Sequence, residues 1–345
     1  MISVRMRGES ARKFILEHVD KHPRDIARVA AQTLGISRQA ALRHLNLLAD
    51  EKALIVTGKT TNRTYALPPL VEWGRTYAIT PSLAEDVVWR DDVAPLLGKL
   101  PRNVLEIWSH GFTEMFNNAI DHSSGTVIEV RVRKTAAGTD VSIWDDGVGI
   151  FRKIQAALGL LDERHAVLEL AKGKLTTDPA NHSGEGIFFS SRMFDDFEIV
   201  SGGTYFSHQY DRDEDWILER RNLATGTAVW MRLNNHTSRT ARKIFEKFTA
   251  GDDIAFSKTV VPVRLAQYGD DKLVSRSQAK RLLDRVDRFK VVILDFAGVD
   301  SIGQAFADEI FRVFPRRHPE LEMHHVNANA NVKQMIERAL ATTVA

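Results

Sequence analysis

The chain of 345 residues contains no cysteine. That excludes disulfides, thiolate metal sites and a cysteine nucleophile, and it fits a reducing compartment. No apolar run approaches the ~20 residues that a membrane-spanning helix needs. The start, Met1 to Glu9, lacks the apolar core of a signal peptide, so a cytoplasmic location without membrane attachment is expected. Long-period repeats are missing, and the one biased patch, Asn327 to Asn331, is too short to interpret. A large charge of one sign is missing too, since the net charge is only +2. Its distribution says more. Residues 1–70 hold 12 Lys and Arg against 6 Asp and Glu, a local +6 that leaves −4 for the rest. A hydrophobic share of 43% and a charged share of 27% are ordinary for a globular protein of two or three domains.

Residues 1–68 form the first unit. Phe14, Ile15, Leu16 and Val19 give one helix an apolar side. Asp25 to Leu34 has helical spacing and stops at Gly35. Ser37 is placed to cap a third helix with Ala41, Leu42, Leu45 and Leu48 on one face. Leu54–Thr57 and Thr64–Leu67 read as strands around a basic turn. This pattern resembles bacterial winged helix-turn-helix regulators. The resemblance implies DNA as partner, with Arg38, Gln39 and Arg43 on the third helix and Lys59 and Arg63 in the wing as DNA-binding candidates. His44 and Asn46 lie on the same helix. The alternative is a winged helix used for dimerisation or partner binding. Residues 69–100 read as a connector with helical character, holding Asp86, Asp91 and Asp92 and two packing tryptophans, Trp73 and Trp89.

Chemistry concentrates in residues 101–235. Glu114 and Asn118 stand four apart in a helical stretch and so share a face, with Asp121 and His122 a turn further. Val141–Trp144 is a strand that runs into Asp145-Asp146-Gly147-Val148-Gly149. Gly184-Glu185-Gly186 then opens another helix, where backbone N–H groups form an anion site. Gly226-Thr227 follows late in the unit. Residues 150–183 suit a mobile lid, with Lys172 and Lys174 either solvated or reaching a phosphate. In order and spacing these motifs resemble the ATP site of the GHKL superfamily, which includes gyrase, histidine kinases and anti-sigma-factor kinases. The resemblance implies ATP and Mg²⁺ as cofactors. It makes Glu114 the catalytic base, Asn118 the Mg²⁺ ligand, and Asn118, Asp121, Asp145, Gly147, Gly149, Gly184, Gly186 and Thr227 the ATP-binding set. Asp145 takes the adenine amino group and Thr227 lies near the base. Histidine kinases have Asn where this chain has Glu114, so it sits closer to the ATPase and anti-sigma branches. His110 and His122 do not invite a phosphohistidine reading, because the two-helix hairpin that carries such a residue is missing. Glu185 puts negative charge where phosphate is expected.

Residues 255–345 read as a small α/β domain. Leu294-Asp295-Phe296-Ala297-Gly298-Val299-Asp300-Ser301-Ile302-Gly303 resembles the STAS domains of anti-sigma-factor antagonists. That implies Ser301 as a candidate phosphoacceptor, while Ser301 to Gln304 also fits a helix capping box. The expected fold is therefore α/β multidomain: a winged helix, a GHKL α/β sandwich with a mixed sheet, and a small STAS-like domain. Three functions remain open: an ATP-dependent switch coupled to DNA binding and transcription, a serine/threonine kinase acting on a STAS serine, or an ATP-gated assembly protein that dimerises, as in defence against foreign DNA. A protein partner of the STAS-like domain and a homodimer both fit.

Overall fold

The computed structural model describes residues 4–59, 62–175, 184–210, 216–249, 256–267 and 272–341. Three helices open the chain: α1 (Val4–His18), α2 (Ile26–Leu34) and α3 (Arg38–Asp50). Gly35 ends α2 in the left-handed conformation at φ 62°. The Ser37 side chain caps α3 by accepting from the Ala40 N–H at 3.1 Å. An antiparallel pair follows, β1 (Ile55–Thr57) with β2 (Thr64–Ala66). Ile15, Val19, Ile26, Ala30, Ala41, Leu45 and Leu48 close over Leu54, Tyr65 and Leu67 to form a core of their own.

The central unit is a five-stranded sheet in the order β3-β4-β5-β7-β6. Its strands are β3 (Val71–Ala78), β4 (Val127–Lys134), β5 (Gly138–Asp145), β6 (Asp196–Gln209) and β7 (Trp216–Asn234). Every pairing is antiparallel, so the expected mixed sheet does not form. The helical excursion between β5 and β6 would have made them parallel neighbours, but β7 lies between and runs against both. The expected connector is also revised, because all eight residues of β3 pair with β4. A helical stretch then runs from α4 (Glu85–Val88) through one π-helical turn (Trp89–Val93) to α5 (Ala94–Leu97). Asp92 pins that stretch to β3, accepting from Arg75 at 2.7 Å and the Tyr77 hydroxyl at 2.8 Å.

One face of the sheet is covered by α6 (Arg102–His122), whose 21 residues bury Val104, Ile107, Trp108, Gly111, Phe112, Met115, Phe116 and Ala119. That spacing of three and one keeps a single stripe on the sheet. The shorter α7 (Ile150–Leu158), α8 (Glu163–Lys172) and α9 (Gly186–Met193) complete the layer. The opposite face is polar. Cross-strand register lines up Glu72, Arg133, Asp140, Arg232 and Asp196, a row of alternating charge. Asp20 of the N-terminal unit joins it, 2.9 Å from Arg232.

After α10 (Ala241–Lys247), a parallel three-stranded sheet carries β8 (Lys258–Pro262) and β10 (Glu322–Val326) on either side of β9 (Val291–Asp295). Helices α11 (Arg276–Leu283), α12 (Gln304–Asp308), α13 (Phe314–Arg317) and α14 (Ala330–Ala341) pack on it. Its core is continuous with that of the central unit, through Phe188, Phe189, Phe248, Phe256 and Phe289.

Candidate functional site

The motif residues converge on one cavity of ≈ 270 Å³ between α6, the end of β5, α7 and α9. Glu114, Asn118, Asp145, Gly184, Gly186 and Thr227 all line it. Its apolar end is Ile143, Ile150, Ile154, Ile199 and Val229. Glu114 and Asn118 are half-buried beside the apolar stripe of α6, which therefore aims both at the cavity.

Asp145 is the buried carboxylate of this site, 5% exposed. One of its oxygens accepts from the Gly147 N–H at 2.9 Å and the Thr227 N–H at 3.3 Å. Its other oxygen has no hydrogen-bond partner among the described residues. Burial pushes the carboxyl up to about 6, despite the two backbone N–H groups that favour the charged form. The Thr227 hydroxyl oxygen accepts from the Ile150 N–H at 3.0 Å, fixing the start of α7 while leaving its own proton to offer. Neighbouring Asp146 turns outward. The Thr126 hydroxyl and the N–H groups of Thr126 and Val127 hold its carboxyl down at about 2.

Gly147 and Gly149 do not line the cavity but shape its floor. A Cβ on Gly147 would collide with the Ser123 carbonyl at the end of α6. At the other end, Gly184 has φ 71° and its carbonyl accepts from the Leu175 N–H at 3.0 Å. A Cβ on Gly186 would run into the Glu114 carboxylate, so that acid packs against the first turn of α9. Glu185 is half-buried rather than solvated. Burial raises its carboxyl and Lys174 pulls the other way.

Three expectations change. Asp121 is exposed and lies off the cavity, which at this end of α6 is lined by His122 and Ser123 instead. Residues 150–175 of the expected lid form α7 and α8 and a turn bonded to the C-terminal domain, and residues 176–183 of it lie outside the described residues. Lys172 is not solvated and does not line the cavity. It is 1% exposed, 2.6 Å from Glu169, and donates to the Arg281 and Asp284 carbonyls at 3.2 and 2.8 Å. Lys174 likewise donates to the Arg288 carbonyl at 3.0 Å. One charged lining residue escaped the motif reading. Lys153 stands one turn into α7 and donates to the His122 carbonyl at 2.7 Å. A cation three residues past Ile150, on the face that also holds Ile154, is the signal that could have found it.

Residues 80–206 match the family model of the histidine kinase-like ATPase domain. The chain carries that ATPase-like domain. Residues 278–333 match a STAS-like domain of unknown function. No curated protein was matched. The ATPase-like match begins at residue 80, so the α4–α5 stretch belongs with the cavity domain rather than with a linker. The matched residues contain every lining residue except Thr227 and Val229, which β7 adds. Among the described residues no helix is long and apolar enough to cross a membrane, and no group of three His, Cys, Asp or Glu is placed to hold a metal.

In the C-terminal domain Ser301 is half-buried, and its hydroxyl has no hydrogen-bond partner among the described residues. The capping box expected there is not made, since Gly303 is the N-cap of α12 and no side chain caps it. A capping box does form at Ser275 and Gln278, on α11. In the N-terminal unit Arg38, Gln39, Arg43 and Lys59 are exposed. Arg63 bridges back to Asn46 at 3.4 Å, and His44 is tucked toward α1 with burial lowering its pKa.

Proposed function

We propose that this protein is an ATP-responsive regulator whose nucleotide state is read by the two flanking domains. The observation that carries the reading is Asp145. A buried carboxylate, with one oxygen tied to backbone and the other unpartnered at an apolar cavity end, suits the edge of an adenine ring. Its open oxygen accepts from the exocyclic amino group, and the isoleucines and Val229 sandwich the base. Asn118 at the other end would hold Mg²⁺, which supplies charge neutralisation to phosphates when bound. Glu114 then lies where a general base is needed, and the first turn of α9 offers N–H groups to anionic oxygens.

The exposed basic side chains of α3 and the β1–β2 turn support DNA as the partner of the N-terminal unit, read as a winged helix. The kinase reading rests on the unpartnered Ser301 hydroxyl, but the layout disfavours transfer within one chain. The C-terminal end of α8, beside the cavity, meets the start of β8, where Thr259 donates to the Lys172 carbonyl at 2.6 Å. The start of α8 meets the far end of that strand, where Arg164 donates to the Gln267 carbonyl. Ser301 lies beyond that far end of β9, a strand length of roughly 16 Å away. Transfer to Ser301 would then occur between molecules.

The test is calorimetric titration with Mg²⁺-ATP, followed by incubation with γ-labelled ATP. Binding with free phosphate release that Glu114→Ala removes, by about 10²–10⁴-fold, fits an ATPase switch. Acid-stable label on the protein that Ser301→Ala removes fits the kinase reading. No binding of adenine nucleotide at millimolar concentration would refute the site.

A further inference from the structure

We propose that Lys153 is the phosphate-binding cation of the cavity, serving the α- and β-phosphates of the nucleotide. The inference rests on the ATP reading and adds a residue that no motif of the resemblance contains. Among the described lining residues Lys153 is the one Lys or Arg, whereas Glu114 and Asp145 are both acids. Among the described lining residues a polyphosphate entering this cavity meets two carboxyl groups and a single Lys or Arg. The natural alternatives are already committed. Lys172 is buried in its pair with Glu169, and Lys174 is bonded to the Arg288 carbonyl.

Geometry places the ammonium between the two ends of the cavity. It donates to the carbonyl of His122, the last residue of α6, at 2.7 Å. Asn118 is four residues back on that helix, about 6 Å along its axis. On the other side the Ser123 carbonyl accepts from the Val148 N–H at 2.9 Å, which brings the loop that follows Asp145, and with it the base end, to the end of α6. Lys153 thus sits short of the Asn118 end, where the terminal phosphate belongs, and past the base. An ammonium has three donors, and among the described residues only the His122 carbonyl takes one. Two remain for phosphate oxygens without the bond to α6 being given up. That bond also holds the side chain in place before ligand arrives, so less rotamer freedom is lost on binding.

The competing account is purely structural: a lysine that satisfies a carbonyl at a helix C-terminus, as basic residues commonly do. The two accounts separate on the ligand, not on the variant. Full-length wild type, Lys153→Gln and Lys153→Arg are titrated with adenosine, AMP, ADP and ATP, with apo melting temperatures measured in parallel. If Lys153 serves phosphate, K153Q binds adenosine within about twofold of wild type but ADP and ATP about 10- to 100-fold more weakly, the range of one charge-assisted hydrogen bond. ADP and ATP lose equally, because the γ-phosphate lies beyond its reach, and K153R recovers most of the loss. Equal weakening of adenosine and ADP would overturn the proposal and leave a structural lysine. Unchanged affinity for all four ligands would overturn it as well. The wild-type column reads the ATP assignment separately. Absence of any nucleotide binding there rejects both, whereas wild-type binding with an insensitive K153Q rejects only the role of Lys153.

Discussion

Asp145 shows how one carboxyl can work against the fold and for a ligand. Its pKa is raised to about 6, above the unfolded value of about 3.9. A raised carboxyl favours the folded state fully below pH ~4, and that contribution is lost as pH rises through about 6. The loss is on the order of 2–3 kcal/mol. Ligand binding runs the other way. Protonation puts a donor on the one oxygen left to accept from the adenine amino group, so ATP affinity falls as pH drops from 7 to 5. Asp145→Asn separates the two effects. At pH 7.5 the apo variant should melt at or above the wild-type temperature. Its ATP affinity should drop by at least the ~1–3 kcal/mol of an unsatisfied buried polar group, because the amide now faces the adenine amino group with a donor. Calorimetry across pH 5–7.5 with parallel melts checks both signs. Affinity that ignores both the pH and the substitution would mean that the base is held elsewhere.

At the scale of elements, α8 belongs to two places at once. Leu170 and the following Leu175 line the cavity, while Glu169 and Lys172 bond the STAS-like domain. Lys172 reaches two carbonyls at the C-terminal end of α11, those of Arg281 and Asp284. Glu169 also faces Arg285 at 3.4 Å. Removing one member of such a buried set strands the others. Glu169→Gln should cost about 3–5 kcal/mol in a denaturant melt, while Glu169→Leu with Lys172→Met should recover most of it. If the single variant is as stable as wild type, the buried pair does not hold the junction. The same element marks the limit of sequence reading. Glu114 with Asn118, and Asp145 ahead of its glycines, are legible because helix periodicity and a strand–loop–helix context fix where they point. Lys172 is not legible, since only the packing of a second domain decides whether a lysine before a glycine is solvated or buried. Nor is β3. As an edge strand it buries little beyond Tyr77, and Glu72, Gly74, Arg75 and Thr76 break the apolar alternation that marks a strand.

At the scale of the whole molecule, the two flanking domains stand in unequal relation to the cavity. The STAS-like domain touches it through α8. The N-terminal unit packs against Ala137, just ahead of β5, whereas Asp145 ends that strand, roughly 24 Å further on. A nucleotide effect on DNA must therefore cross the sheet, and a coupling of about 1–3 kcal/mol is the expected range. DNA affinity measured at fixed salt without nucleotide, with ADP and with a non-hydrolysable ATP analogue tests this, with Arg43→Ala lowering affinity and the salt slope by about one unit. Identical affinities in all three states would remove the DNA switch. The separation of the apolar clusters has a further consequence. The N-terminal helices close on their own small core, joined to the sheet by contacts such as Asp20 with Arg232 and Arg133 with the Leu67 carbonyl. The ATPase-like and STAS-like domains share one core through their phenylalanines. Heat should therefore take the molecule apart in two cooperative steps rather than three. A nucleotide that favours the folded cavity should raise the step in which two domains melt together, and leave the melting of the N-terminal unit where it was.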